Sequence, residues 1–258
     1  MAFITPRFDW PLPHETCQSD NSCDNQSGEA SADLSRPKSN LPLPNVLSSV
    51  LPHMKDGAVL EICASWQNLR EVISAIDEHE LSTLDLCIWR RDGGKAGSLY
   101  ASGYELIFIT KTGDVSHTNN VRRGKRSGPP TNIWDYPSIK EAAVPELNSE
   151  AKCAAIKPAA LISKAICDVT NQAEIILVPS IERGTSLLAC EKTNRRCFGI
   201  EIEPRDVDNA IARWQAVTGE EAILAATGQT FGEVHQERGA SRGERGPSCA
   251  NDDASARL

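Results

Sequence analysis

Residues 174–204 read EIILVPSIERGTSLLACEKTNRRCFGIEIEP. The stretch Glu174 to Val178 is a nearly continuous apolar run, the kind of strand that a parallel sheet buries on both faces. A turn-rich segment from Pro179 leads to Gly184, and Gly184 to about Lys192 has the composition of a helix. Phe198 to Ile202 reads as a second strand. The next helix carries Val207, Ala210, Ile211, Trp214 and Val217 on one face. Strand, helix, strand and helix in this succession predict an α/β fold with a doubly wound, mostly parallel sheet. Such sheets hold ligands at the carboxyl ends of their strands, here at Val178-Pro179 and at Glu201.

Working upstream, Pro158 opens a helix with Leu161, Ile162, Ala165, Ile166 and Val169 at helical spacing. Gly57 to Cys63 reads as a buried strand, and Trp66, Leu69, Ile73 and Ile76 then mark one helix face. Leu84 to Trp89 and Tyr104 to Thr110 are strands, separated by a turn-rich loop at Arg91-Asp92-Gly93-Gly94-Lys95. A turn at Lys111 to Asp114 closes the second of them. Residues 113–150 form a long irregular stretch, a length that usually serves function. Cys17 to Pro44 is a flexible loop by composition, rich in Ser, Asn, Asp and Gly. One domain over 1–235 is expected, followed by a disordered tail over 236–258.

The 258 residues carry 27 Lys and Arg against 35 Asp and Glu, a net charge of −8. That balance excludes a polyanion-coating role but leaves room for a local basic patch. No apolar run approaches the roughly 20 residues of a membrane span, which places the chain among cytoplasmic proteins without a membrane partner. The nine cysteines are odd in number, form no Cys-x-x-Cys pair and include Cys63, Cys87 and Cys167 inside apolar runs, the usage of reduced core thiols. His14, Cys17 and Cys23 match no zinc spacing, so no metal is expected.

Glu201, at a strand end after a strand, a glycine-bearing loop and a helix, is placed to accept hydrogen bonds from ribose hydroxyls. Spacing alone leaves open a solvated or helix-capping carboxylate. The residues also carry a resemblance. Lys157-Pro158, Glu174 to Ser186 and Arg195 to Pro204 are similar to the C-terminal half of the permuted, β-group DNA amino-methyltransferases. Ala58 to Trp66, Leu86 to Tyr100, Tyr104 to Thr110 and Thr131 to Pro137 resemble the branch often fused to ParB-like domains. The resemblance implies a Rossmann-like methyltransferase fold and methyl transfer from S-adenosylmethionine to adenine N6 or cytosine N4 in DNA.

Several motif positions depart from that family's pattern. Its Asp-Pro-Pro-Tyr loop corresponds to Thr5-Pro6-Arg7-Phe8, so the resemblance makes Thr5, Pro6 and Phe8 the residues at the flipped target base. Threonine in place of the acid removes a charge-assisted acceptor worth ~2–4 kcal/mol, a rate loss of roughly 10²–10³. Its Asp-Pro-Phe-x-Gly-Ser-Gly-Thr cofactor loop corresponds to Val178 to Thr185, with Val178 replacing an acid and Glu182 a glycine. Lys157, Pro179, Gly184, Thr185 and Glu201 remain as the implied cofactor residues. The resemblance thus implies a weak or inactive methyltransferase, or alternatively a non-catalytic DNA-binding module.

The basic run Arg122-Arg123-Gly124-Lys125-Arg126 lies in the region that recognises DNA in that family. Its four cations, Arg122, Arg123, Lys125 and Arg126, imply salt-sensitive phosphate contacts. Trp134 and Tyr136 are expected to pack on the core rather than stack on a base, and Arg195 and Arg196 to be surface charges.

Overall fold

The computed structural model describes residues 2–4, 43–95, 99–121, 130–137 and 157–243. In chain order these form β1 (Ala2–Ile4), α1 (Leu43–Val50), β2 (Val59–Ala64), α2 (Leu69–Glu78), β3 (Ser82–Lys95) and β4 (Ser102–Lys111). There follow β5 (Ile133–Asp135), α3 (Ala159–Val169), β6 (Ile175–Val178), α4 (Thr185–Lys192), β7 (Arg196–Gly199), α5 (Pro204–Thr218) and α6 (Phe231–Gly243).

The strands make one seven-stranded sheet in the order β5-β3-β4-β2-β1-β6-β7. Neighbours pair in parallel except β4, which runs antiparallel to both β2 and β3. This is the doubly wound α/β sheet that the alternation of elements predicts.

The pattern of β2 explains how the layers form. All six of its residues are buried, and they alternate between two cores. Val59 and Cys63 face a cluster with Leu161, Ile162, Ala165 and Ile166 of α3 and Ala189 and Cys190 of α4. Leu60, Ile62 and Ala64 face a second cluster with Leu43, Leu47 and Val50 of α1 and Val72, Ala75 and Ile76 of α2. A central strand with helices over both faces has no polar side to show, so its sequence is apolar except for Glu61. The helix after β6 lies on one face, while α1, the next described element after β1, lies on the other. Adjacent strands whose following helices diverge in this way open a crevice above their carboxyl ends.

Several local expectations need correction. The residues Arg91 to Lys95, expected as a loop, continue β3, because β4 is long enough to pair Lys95 with Ser102. The register shift between Arg90 and Lys95 coincides with Gly93-Gly94, where a bulge is easiest to form. On α2 the buried stripe is Val72, Ala75 and Ile76, whereas Trp66 and Ile73 are each 45% exposed. Val72, Ala75 and Ile76 pack with Leu60, Ile62 and Ala64 of β2 in the second cluster. Within 113–150 a strand, β5, pairs in parallel with β3, and Trp134 on it is buried in the first cluster.

Strand β6 is not buried on both faces: Ile175 is 48% exposed, since no described helix covers that end of the sheet. Strand β7 spans Arg196–Gly199 rather than Phe198 to Ile202, because β6 stops at Val178 and offers no partner farther on. On α5 the buried residues are Ala210 and Arg213, and Val217 is exposed. Helix α1 begins at Leu43, inside the stretch 17–44 read as a loop, and α6 continues to Gly243, past the boundary expected at 235. The rest of the loop and of the tail lies outside the described residues.

Arg195 is not a loose surface charge. Its guanidinium donates to the Thr170 carbonyl at 2.7 Å and to the Thr193 carbonyl at 2.5 Å, tying the ends of α3 and α4 together. Trp134 and Tyr136 pack on the core as expected, and the Trp89 indole N–H donates to the Tyr136 carbonyl at 2.8 Å. Among the described residues no helix is long and apolar enough to cross a membrane.

Candidate functional site

The carboxyl ends of β6 and β7 are joined by a short net of backbone hydrogen bonds. The Ile200 N–H donates to the Val178 carbonyl at 2.9 Å, and the Ile181 N–H donates to the Ile200 carbonyl at 3.0 Å. Within the loop, the Gly184 N–H donates to the Ile181 carbonyl at 2.9 Å, turning the chain into α4. Gly184 is required there twice over. Its φ of +74° is left-handed, and an added Cβ would stand 2.9 Å from the Cβ of Ala210 on α5. Glu182 is also left-handed, with φ of +49°, a conformation that costs a side-chain-bearing residue about 1 kcal/mol or more.

Glu201 is the centre of this net. One carboxylate oxygen accepts from the Glu182 N–H at 2.8 Å, and the other accepts from the N–H groups of Ile202 at 2.9 Å and Glu203 at 3.1 Å. The acid therefore fastens the β6–α4 loop to the end of β7. The loop's opposite side is held by Arg213 of α5, which is almost fully buried. Its guanidinium donates to the Arg183 carbonyl and to the Thr185 hydroxyl, both at 3.0 Å.

Lys157, just before α3, forms an ion pair of 2.9 Å with Glu105 at the start of β4, and both side chains are only 18% exposed. Burial, the largest single influence, works against the lysine charge, but the charge and hydrogen bond of Glu105 together with Cys63 and Glu182 outweigh it, so the ammonium is held above the usual lysine range. Burial pushes the Cys63 thiol well up, which makes it a packing residue rather than a nucleophile. Val178, where the resemblance implies an acid, is fully buried among Ile176, Leu161 and Ala189. A carboxylate at this side chain would lie in the core instead of the loop.

The structure thus gathers Pro179, Gly184, Thr185 and Glu201 around one loop and sets Lys157 at the same edge of the sheet. Thr5, Pro6 and Phe8 lie outside the described residues, and so do Arg122, Arg123, Lys125 and Arg126. Strand β1, described to Ile4, runs between β2 and β6.

A family model described as DNA methylase, for N6 and N4 enzymes, matches residues 41–212, two thirds of the chain. The chain belongs to the N6/N4 DNA methylase family. The chain is 29% identical over 108 residues to the type II methyltransferase M.ScaI of Streptomyces caespitosus. That match covers 40% of the chain and 36% of its relative's length, so the chain aligns with about a third of that protein. Its fold is shared with the M1.HpyAVI–SAM complex, at a TM-score of 0.56 and 18% identity over 83% of this chain and 87% of the other. It is also shared with the cytosine-N4-specific PvuII DNA methyltransferase, at a TM-score of 0.53 and 15% identity over 62% and 65%.

Two residues of the candidate site, Arg213 and Glu105, escaped the sequence reading. Arg213 sits among apolar positions of α5, and its spacing of three from Ala210 was the available signal. Glu105 is a lone acid before the apolar run Leu106 to Ile109; away from the site, Glu61 is a lone acid inside the run Ala58 to Ala64. A single charge in a buried strand marks either a site or a cost.

Proposed function

We propose that this chain transfers a methyl group from S-adenosylmethionine to the exocyclic amine of adenine (N6) or cytosine (N4) in DNA, at a rate lowered by Thr5 and Glu182. Val178, although the resemblance implies an acid there, packs the core. The observation that carries this reading is Glu201, fastened to the β6–α4 loop at the carboxyl ends of two parallel strands.

The donor set fits the cofactor at its two ends. A carboxylate has about four acceptor positions, and three on Glu201 are used by backbone N–H groups, leaving capacity for a ribose hydroxyl. Lys157 supplies a lasting positive charge for the carboxylate of the amino-acid end. Gly184 and Thr185 start α4, whose first N–H groups are the positive end of the helix dipole. The fit is poorest at Glu182, whose side chain stands where a glycine would let a ligand approach the backbone. When bound, the cofactor supplies an electrophilic methyl on a sulfonium. At the target base, Phe8 offers a stacking surface, the Pro6 carbonyl one hydrogen-bond acceptor, and the Thr5 hydroxyl only a neutral second one. Arg122, Arg123, Lys125 and Arg126 would hold the DNA backbone.

The test is incorporation of labelled methyl groups into duplex DNA of mixed sequence by the wild type and by the double variant Thr5→Asp with Glu182→Gly. Val178 is left in place because an acid there would be buried without a partner. The wild type should be slow and the double variant faster by about 100-fold. A double variant that melts cooperatively yet transfers no methyl, while the protein still binds DNA, would replace this reading with that of a non-catalytic DNA-binding module.

A further inference from the structure

Strands β3 and β4 outgrow the rest of the sheet at its carboxyl rim. Leu106 of β4 pairs with Ala64, the last residue of β2, and the β3–β4 ladder runs on past that point through Tyr104 to Ser102, which pairs with Lys95. The residues Ser102 to Glu105 thus stand beyond the end of β2, an overhang of roughly 13 Å. On the other side β5 follows β3 only as far as Arg90, where Asp135 is the partner. Among the described residues the outer part is therefore a ribbon of two strands. Leu99 and Tyr100 come after its last pair and are 89% and 79% exposed.

The ribbon is braced. The Arg91 guanidinium donates across it to the carbonyls of Ser102 at 3.2 Å and Tyr104 at 3.3 Å, and it stands 5.7 Å from the centre of the Trp89 ring. At the base Arg90 is ion-paired with Asp135 at 2.6 Å. Large apolar groups held in water at the end of a stiff arm mark a contact surface.

Placement and charge identify the partner. Strand β4 lies two strand spacings from β1 and three from β6, roughly 10 and 14 Å, so the ribbon stands beside the rim on which the cofactor loop opens. A base that is methylated must come to that rim. The residues from Arg90 to Tyr104 include three bases and one acid, a charge of +2 in a chain whose total is −8. That sign suits a polyanion. The major groove of B-DNA, about 12 Å wide and about 8.5 Å deep, admits a two-stranded ribbon, and the overhang is longer than the groove is deep.

We infer that the outer end of the β3–β4 ribbon enters the major groove of the duplex beside the reacting base, with Leu99 and Tyr100 against the base edges. The inference rests on the DNA reading given under Proposed function and adds an interface to it.

Fluorescence anisotropy of the full chain with a labelled DNA duplex of mixed sequence tests it. The double variant Leu99→Ser with Tyr100→Ser should bind about tenfold more weakly than the wild type, with the same slope of log affinity against log salt, because groove contacts release no phosphate counterions. On an RNA duplex of the same sequence, whose deep and narrow major groove does not admit the ribbon, the two proteins should bind alike. Equal affinities for the DNA duplex, a smaller salt slope in the variant, or the same loss on RNA would each overturn the inference and leave the DNA reading in place. A wild type that binds no duplex refutes the DNA reading and the inference with it. Both positions are exposed, so the variant should melt as the wild type does. If it does not, Leu99→Ser and Tyr100→Ser measured singly decide, each expected to weaken the DNA duplex by about threefold and to leave the RNA duplex unchanged.

Discussion

Glu61 on β2 is fully buried, and neither of its carboxylate oxygens has a hydrogen-bond partner among the described residues. Burial, and then the charge of Asp168, push its carboxyl up from 4.5 to about 8, with Lys164 acting weakly the other way. The folded protein therefore keeps a proton on Glu61 that the unfolded chain releases. Because the folded value is the higher one, the stability is fully present below about pH 4.5 and is lost as the pH rises through about 8. Between those limits the loss is about 1.4 kcal/mol per pH unit, so going from pH 6 to pH 8 costs the wild type about 2 kcal/mol through this group. Glu61→Gln keeps the shape and removes the titration. Urea unfolding of both proteins at pH 6 and pH 8, with unchanged m values, should show the wild type losing about 2 kcal/mol more than the variant over that interval. Parallel pH profiles for the two proteins would refute the argument, since Glu61 would then be ionised or solvated in the folded state.

Glu182→Gly should raise stability by about 1 kcal/mol in urea unfolding, because glycine adopts the left-handed φ without the Cβ penalty; a loss would mean that the Glu182 side chain contributes more than its backbone costs. Arg213→Met should destabilise by about 2–3 kcal/mol, since it strips two hydrogen bonds from the buried floor of the β6–α4 loop, and a change below about 0.5 kcal/mol would contradict that role. Replacing Arg122, Arg123, Lys125 and Arg126 by Ser should lower the slope of log affinity for DNA against log salt by up to about 3.6, and an unchanged slope would move the DNA contact elsewhere.

The order of the elements was legible because hydrophobic period and length separate strands from helices, as in Leu161 to Val169 and Ile175 to Val178. What the sequence hid depends on neighbours distant along the chain. Nothing near Ile73 says that β2 will lie under Val72, and nothing near Gly93-Gly94 says that β4 will extend to meet them. The site shows the same division. Gly184 and Glu201 are visible as local signals, a turn glycine and a strand-end acid, and the structure brings them to one loop. Lys157 was legible only through resemblance, while its partner Glu105 lies 52 residues away and shows only once the sheet is assembled. Val178 reads as a lost acid in the sequence, yet its side chain belongs to the core, so the substitution also packs the sheet.

The most direct test of the central claim is calorimetric titration of the full chain with S-adenosylmethionine, paired with Glu201→Gln and with melting curves for both. The account predicts micromolar binding by the wild type and a loss of about tenfold or more in the variant, both proteins melting cooperatively. A cooperatively folded wild type that gives no binding heat and no shift in Tm with added S-adenosylmethionine would contradict it.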